Sequence, residues 1–318
     1  MRGRGHGSVH GALVLTRPLQ VGVQLPEAEY EARWIEILEM IRTAEGIGLD
    51  SIWYGDHLLY RWDGQPTRGP WEVWSLLAAT AAVTSRVRFG PLVASTSFHN
   101  PAMLAKKAAT VDEISGGRLI LGLGAGWNQA EYDAFGFPFD HRISRFEEAF
   151  TIIRQLLTSG QCDFAGSYYT VTDCELLPRG PRPQGIPLMV GSIGPRMLSI
   201  TLPFVDAWNV WFTDFSNSLE GYLPIRQFVD DACLAVGRDP AEVARTVALF
   251  VGFPGALGRL TGNLAKPEVV PLSGDPAALA ATLRGFAAAG VAEVQLVLDP
   301  ITAETVAALE PMLALLDA

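Results

Sequence analysis

The heptapeptide SIWYGDH, residues 51–57, sets the carboxylate of Asp56 beside the imidazole of His57, directly after an apolar run. Histidine can donate, accept or shuttle a proton near neutral pH, so an Asp–His pair just past a strand is a candidate acid–base unit. The same pair could equally cap backbone groups of its loop. A metal centre is not expected, because His57, Asp56, His99 and His141 lack H-x-H or H-E-x-x-H spacing. No G-x-S-x-G elbow offers a nucleophilic serine. A second stretch, VGSIGPRMLSI (190–200), has Gly191 and Gly194 flanking a turn, and Pro195 opening a helix with Arg196 next to it. Free N–H groups at a helix start, beside a cation, suit a phosphate. Plain capping gives the same Gly–Pro pattern.

A third stretch, GGRLILGLGAGW (116–127), places Gly122, Gly124 and Gly126 at every second residue. A dinucleotide-binding turn needs G-x-G-x-x-G running straight into a helix. The next residues, NQAEYDAFGFPF, contain Gly136 and Pro138 and have no clean apolar stripe. The Rossmann reading therefore fails. The glycines are read as the end of a strand where backbone must approach a flat or phosphorylated ligand. In GPLVAS (90–95), Pro91 cannot donate to a ladder, so that strand is expected to bulge or distort.

These groups need elements to position them. Eight β-type runs occur: LQVGVQL, SIWYG, VRFGPLVAS, RLILGLG, PLMVG, DAWNVW, TVALFVGF and EVQLVL. Most are continuously apolar, as parallel strands covered on both faces are. Helical patterns separate them, at 30–47, 71–84, 101–114, 142–158, 195–203, 217–236, 276–289 and 303–316. In the first, Trp34, Ile37, Leu38, Ile41 and Ala44 make one stripe and Gly48 stops the helix. The third begins with Asn100 as N-cap and Pro101 at the first helical position. In the last, Val306, Leu309, Leu313 and Leu316 form the stripe.

Strand then helix, eight times, predicts a single-domain (β/α)8 TIM barrel over 19–318, with catalytic groups at the strand C-termini. A doubly wound sheet would not need eight evenly spaced strands. The strand ends supply Gln24, Asp56 and His57, Ser95 to His99, Gly124 to Asn128, Gly191 to Arg196, and Asn209 to Trp211. Two segments exceed ordinary loops. Residues 159–186 follow a helix and belong to the bottom face; residues 253–274 follow a strand and belong to the active face.

The 318 residues are 49% hydrophobic, enough for a large core, and carry a formal charge of −10. That charge argues against nucleic-acid binding, which needs a basic face. No apolar run is long enough to span a membrane. Residues 1–18 contain too short an apolar patch for a signal peptide and are read as a flexible extension. Three cysteines without metal spacing suit a reducing cytoplasm. Cys162 and Cys174 are positioned to pair across a hairpin, but free thiols are the expectation in that compartment.

Together, GLDSIWYGDH (48–57), the block 100–136, PLMVGSIGPRML (187–198) and DAWNVW (206–211) resemble the bacterial luciferase-like monooxygenase family, in particular its branch using the deazaflavin coenzyme F-420. The resemblance runs from about residue 20 to the C-terminus. It implies a (β/α)8 barrel binding F-420, or alternatively FMN, in its mouth. Asp56 would contact the ring system and His57 would sit near the reactive face as proton donor or orienting group. Ser95 would meet the ring or ribityl chain, and Ala125 and Gly126 would offer backbone. Gly191, Ser192, Ile193, Gly194 and Arg196 would hold the phosphate. Gln24, Trp127, Asn128 and Trp211 are the candidate substrate contacts.

The family's third strand often carries a non-prolyl cis peptide, which here would fall near Leu92–Val93. Sugar-phosphate dehydrogenases of this branch carry a glutamate general acid where this chain has Trp127. The 253–274 loop offers only Arg259 and Lys266 as cations. A small apolar or aromatic substrate is expected instead, with hydride transfer at the deazaflavin C5 and a homodimeric assembly. FMN-dependent monooxygenation and a non-catalytic flavin-binding barrel are the alternatives.

Overall fold

The computed structural model describes residues 17–182, 184–256 and 269–318. Its centre is a ring of parallel strands: β1 (Gln20–Gln24), β2 (Ser51–Tyr54), β3 (Arg88–Pro91), β4 (Ala94–Ser95) and β5 (Leu121–Gly124) come first. After the hairpin β6 (Gln161–Ala165) and β7 (Thr170–Glu175) come β8 (Leu188–Gly191), β9 (Ala207–Val210), β10 (Ala244–Gly252), β11 (Leu272–Ser273) and β12 (Val291–Asp299). Around the ring, β1 lies between β12 and β2, then β3 follows β2. On the far side β4 pairs with β5, and β8, β9, β10 and β12 complete the circuit. This is the expected eight-stave barrel, with its third stave split in two.

The split follows from the sequence. Pro91 ends β3, which pairs only with β2, while β4 pairs only with β5. The Leu92–Val93 peptide between them is cis, at the position expected. A single bridge, Phe89 to Leu119, is the other tie across this seam. The strands are buried on both faces, as their unbroken apolar runs require; Val294, Leu296, Val297 and Leu298 of β12 are all fully covered.

The helices α1 (Trp34–Gly46), α2 (Val73–Val83), α3 (Pro101–Ser115), α5 (Arg142–Ser159), α6 (Pro195–Thr201), α7 (Leu219–Ala235) and α8 (Pro276–Ala288) form the outer layer. Asn100 caps α3 by accepting from the Ala102 and Met103 amides, and Gly48 takes φ +91° beyond α1, both as read from sequence. Four details differ. Trp34 is exposed, and the buried stripe of α1 is Ile37, Met40, Ile41 and Ala44. The last predicted helix is two, α9 (Ala303–Ala307) and α10 (Glu310–Asp317), because Pro311 starts a new first turn; the stripe Val306, Leu309, Leu313 and Leu316 is buried all the same.

A short helix, α4 (Gln129–Phe135), occupies NQAEYDAF, where no stripe was seen. Finally, the long 159–186 segment folds into the antiparallel hairpin β6–β7, packed on α5. There Cys162 and Cys174 lie directly opposite each other as free thiols. Arg17, inside the predicted extension 1–18, is held by Asp50 at 3.3 Å and Asp317 at 2.9 Å. Residues 1–16, and Arg259 and Lys266, lie outside the described residues. Among the described residues no helix is long and apolar enough to cross a membrane.

Candidate active site

A cavity of about 520 Å³ opens at the strand C-termini, in the range that suits a small organic ligand or cofactor. Its chemistry begins at the loop after β2. His57 is mostly covered and its Nδ1 lies 3.1 Å from both carboxylate oxygens of Glu131. Glu131, only 1% exposed, is fixed by two further donors, the Leu58 amide at 2.7 Å and the Leu59 amide at 3.2 Å. Since a carboxylate accepts, Nδ1 carries the proton in this pair. Burial pulls the His57 pKa down, but the Glu131 hydrogen bond and the negative field of Glu27, Glu131 and Asp56 outweigh it, leaving it raised above the ordinary value. Tyr60 packs on the imidazole at 4.7 Å, and Trp127 meets it edge-on at 5.6 Å.

Asp56 points the other way. Its Oδ2 accepts from the Ser95 amide at 2.9 Å and from His99 Nε2 at 3.1 Å, so one buried carboxylate ties the end of β2 to the end of β4. Ser95 Oγ is 3.1 Å from the Tyr132 hydroxyl, which donates to the Ala125 carbonyl at 2.7 Å. Tyr132 is fully buried. Neighbours on α4 thus serve both sides of the mouth: Glu131 reaches the β2 loop, and Tyr132 holds the turn after β5. That turn needs glycine at 126, which takes φ +71°, because an added Cβ would overlap the Tyr132 hydroxyl and Ser95 Oγ. Arg142, lying over the Phe139 ring at 4.2 Å, donates to the Gly126 carbonyl at 2.5 Å and clamps the same turn.

The alternating glycines now have a geometric cause. The side chain of Val93, just past the cis peptide, fits a niche formed where Gly122, Gly124 and Gly191 have no Cβ. A Cβ at Gly124 would come 2.7 Å from Val93 Cγ2, and one at Gly191 3.1 Å from Cγ1. Leu92 and Val93 are therefore a fixed part of the cavity wall. Running on from the niche, the Gly191–Gly194 loop is anchored by Trp208, whose indole N–H donates to the Ser192 carbonyl at 2.7 Å. The Gly194 amide donates to Ser192 Oγ at 3.1 Å, and α6 starts at Pro195.

Of the residues named from sequence, Asp56, His57, Ser95, Ala125, Gly126, Trp127, Gly191, Ser192, Ile193, Gly194 and Trp211 line this one cavity. Three lie beside it. Arg196 turns outward to Ser144 and Glu147, each at 3.0 Å. Gln24 is buried, donating to Glu27. Asn128 donates to the Leu59 carbonyl at 3.0 Å. Sequence reading missed Glu27, Tyr60, Glu131 and Met197, which also line the wall. For Glu131 the available signal was Gly136 as a left-handed cap closing a short helix that begins after Asn128.

The model of the family described as luciferase-like monooxygenase matches residues 16–253. An F-420-dependent glucose-6-phosphate dehydrogenase from Amycolatopsis mediterranei is 34% identical over 181 residues, 56% of this chain and 53% of the relative. The pyrimidine monooxygenase RutA from Enterobacter cloacae is 33% identical over 173 residues, 53% of this chain and 47% of that one. The matched part is thus about half the length of either relative. Among solved structures, an F-420-dependent secondary alcohol dehydrogenase in complex with an F-420–acetone adduct shares the fold at TM-score 0.76. It is 18% identical, over 92% of this chain and 98% of that one. With a barrel split at its third stave, a cavity over the strand ends and a matching family model across three quarters of its length, the chain belongs to the luciferase-like monooxygenase family.

Proposed function

We propose that the chain is an F-420-dependent oxidoreductase acting on a small, uncharged, apolar or aromatic substrate. The observation that carries this reading is the His57–Glu131 pair at the edge of an otherwise largely apolar cavity. The residues present fit the coenzyme: the Leu92–Val93 step and the glycines behind it make a flat wall, and the Gly124–Gly126 and Gly191–Gly194 backbones offer close approach. Ser95, Ala125 and Gly126 would hold the ring side, and Ser192 to Gly194 the phosphate. When bound, F-420 supplies hydride chemistry at its C5, and the protein supplies orientation and proton management.

The protein's own contribution starts with His57. Its Nδ1–H is committed to Glu131, so Nε2 is the atom available to give or take a proton. Tyr60 and Trp127 pack against the imidazole, and with Trp211 elsewhere on the cavity wall they offer ring faces to an apolar substrate. A relative whose name specifies F-420 supports the cofactor. The monooxygenase relative supports oxygenation, the chemistry of the second reading, which would use reduced FMN. The two separate in one assay, in which purified protein is given oxidised F-420 with a panel of secondary alcohols and reduced F-420 with the matching ketones, then reduced FMN with oxygen. Substrate-dependent change in the F-420 absorbance is expected; turnover with reduced FMN alone overturns the proposal.

A further inference from the structure

We propose that Glu131 is the positioning residue of His57: it fixes which ring nitrogen carries the proton and which faces the cavity. This rests on the proton-transfer role given to His57 above. The geometry is more than a neighbouring charge. Both carboxylate oxygens lie 3.1 Å from Nδ1, so the ring is centred on the carboxylate. The carboxylate is itself immobilised by the Leu58 and Leu59 amides, from the two residues directly after the histidine. Ring, loop and carboxylate therefore move as one unit. Glu131 is 1% exposed, so water does not compete for its oxygens.

The other groups that bias His57 are Glu27, from the loop after β1, and Asp56, beside it in sequence. Asp56 is occupied with Ser95 and His99, and Glu27 is reached by Gln24 and the Tyr60 hydroxyl. Glu131 alone makes the hydrogen bond to the imidazole among the contacts of the described residues. A carboxylate bound to Nδ1–H favours the tautomer whose Nε2 is the basic nitrogen, and it stabilises the cation that forms when Nε2 is protonated.

A purely structural alternative exists, in which Glu131 only ties down the 57–59 turn. The two roles part in a nitrogen NMR titration of cofactor-free protein, with His57 identified by the loss of its signals in His57→Asn. In wild type, His57 is expected to titrate above the ordinary histidine value, with Nδ1 protonated in the neutral form. Titration at or below that value, or a neutral form protonated on Nε2, overturns the proposal without any variant. In Glu131→Gln, whose amide oxygen still accepts from Leu58, the titration should fall toward the ordinary value; Glu131→Asp should restore part of the shift. An unchanged His57 titration in folded Glu131→Gln also overturns it. Where F-420 turnover is present, kcat should drop roughly ten- to hundredfold in Glu131→Gln while coenzyme affinity holds. Absence of turnover in wild type would refute the cofactor reading instead and leave the NMR result standing.

Discussion

His57 and Tyr132 separate the two kinds of work done by single residues at this mouth. Replacing His57 with alanine removes the one imidazole that the described residues put on the cavity wall, but no wall-forming bulk behind the Val93 niche. Turnover should fall by roughly a hundredfold or more while coenzyme still binds, the usual scale for a positioned proton-transfer group. Equal turnover in wild type and His57→Ala across a pH series would remove that role. Tyr132→Phe should act differently, because the hydroxyl donates to the buried Ala125 carbonyl and meets Ser95 Oγ. Losing it leaves a buried acceptor unpaired, at a cost of about 1–3 kcal/mol, to be read in denaturant unfolding. Asp56, His57 and Ser95 were legible because each directly follows an apolar run. Glu131 and Tyr132 were not, since a seven-residue helix is too short to show a stripe, and Glu131 acts on residues more than seventy positions away.

Most elements were legible for one reason: strands covered on both faces must be continuously apolar, and helices laid against them must carry a stripe. What stayed hidden is set by partners distant in sequence. The alternating glycines of β5 pointed to a close approach, but not to Val93 as the group that approaches. The hairpin β6–β7 entered the sequence reading only through Cys162 and Cys174, because its residues are mostly exposed and neither strand makes a long apolar run. The Val93 niche makes its own prediction. In Gly124→Ala the new methyl would sit 2.7 Å from Val93 Cγ2, and the stiff β-branched side chain must shift toward the cavity. Stability should fall by about 1–3 kcal/mol, as overpacking does, and ring-sized ligands should bind more weakly. Adding Val93→Ala to Gly124→Ala frees the space again, so the double variant should recover most of both. Additive losses on thermal melting and coenzyme titration would show that the niche does not couple the two positions.

At the scale of the whole molecule, charge decides how the far end of F-420 would be held under the proposed function. The chain carries −10, while F-420 bears a phosphodiester and a polyglutamate tail beyond the single phosphate that ends FMN. Such a tail is accepted if it leaves the barrel into water, where charges more than about 10 Å apart are screened at 0.1 M salt. The groups proposed above to hold the phosphate are the Gly191–Gly194 backbone on the cavity wall, where α6 begins, and Arg196 is the cation next to them in sequence. Its side chain is 58% exposed and paired with Glu147, a surface ion pair worth only about 0–1 kcal/mol, so turning toward a phosphate costs little. Affinity for F-420 should therefore exceed that for FMN, yet change little with the number of glutamates. Arg196→Glu should weaken F-420 binding by about 1–3 kcal/mol, by losing a charge-assisted contact and adding repulsion. Arg196→Gln should weaken it less. Fluorescence titration of both coenzymes at two salt concentrations checks all of this, with a milder Arg196→Glu effect expected at high salt. Tighter binding of FMN, or no effect of Arg196→Glu at low salt, would place the chain with the flavin-using members and leave its phosphate to the loop backbone alone.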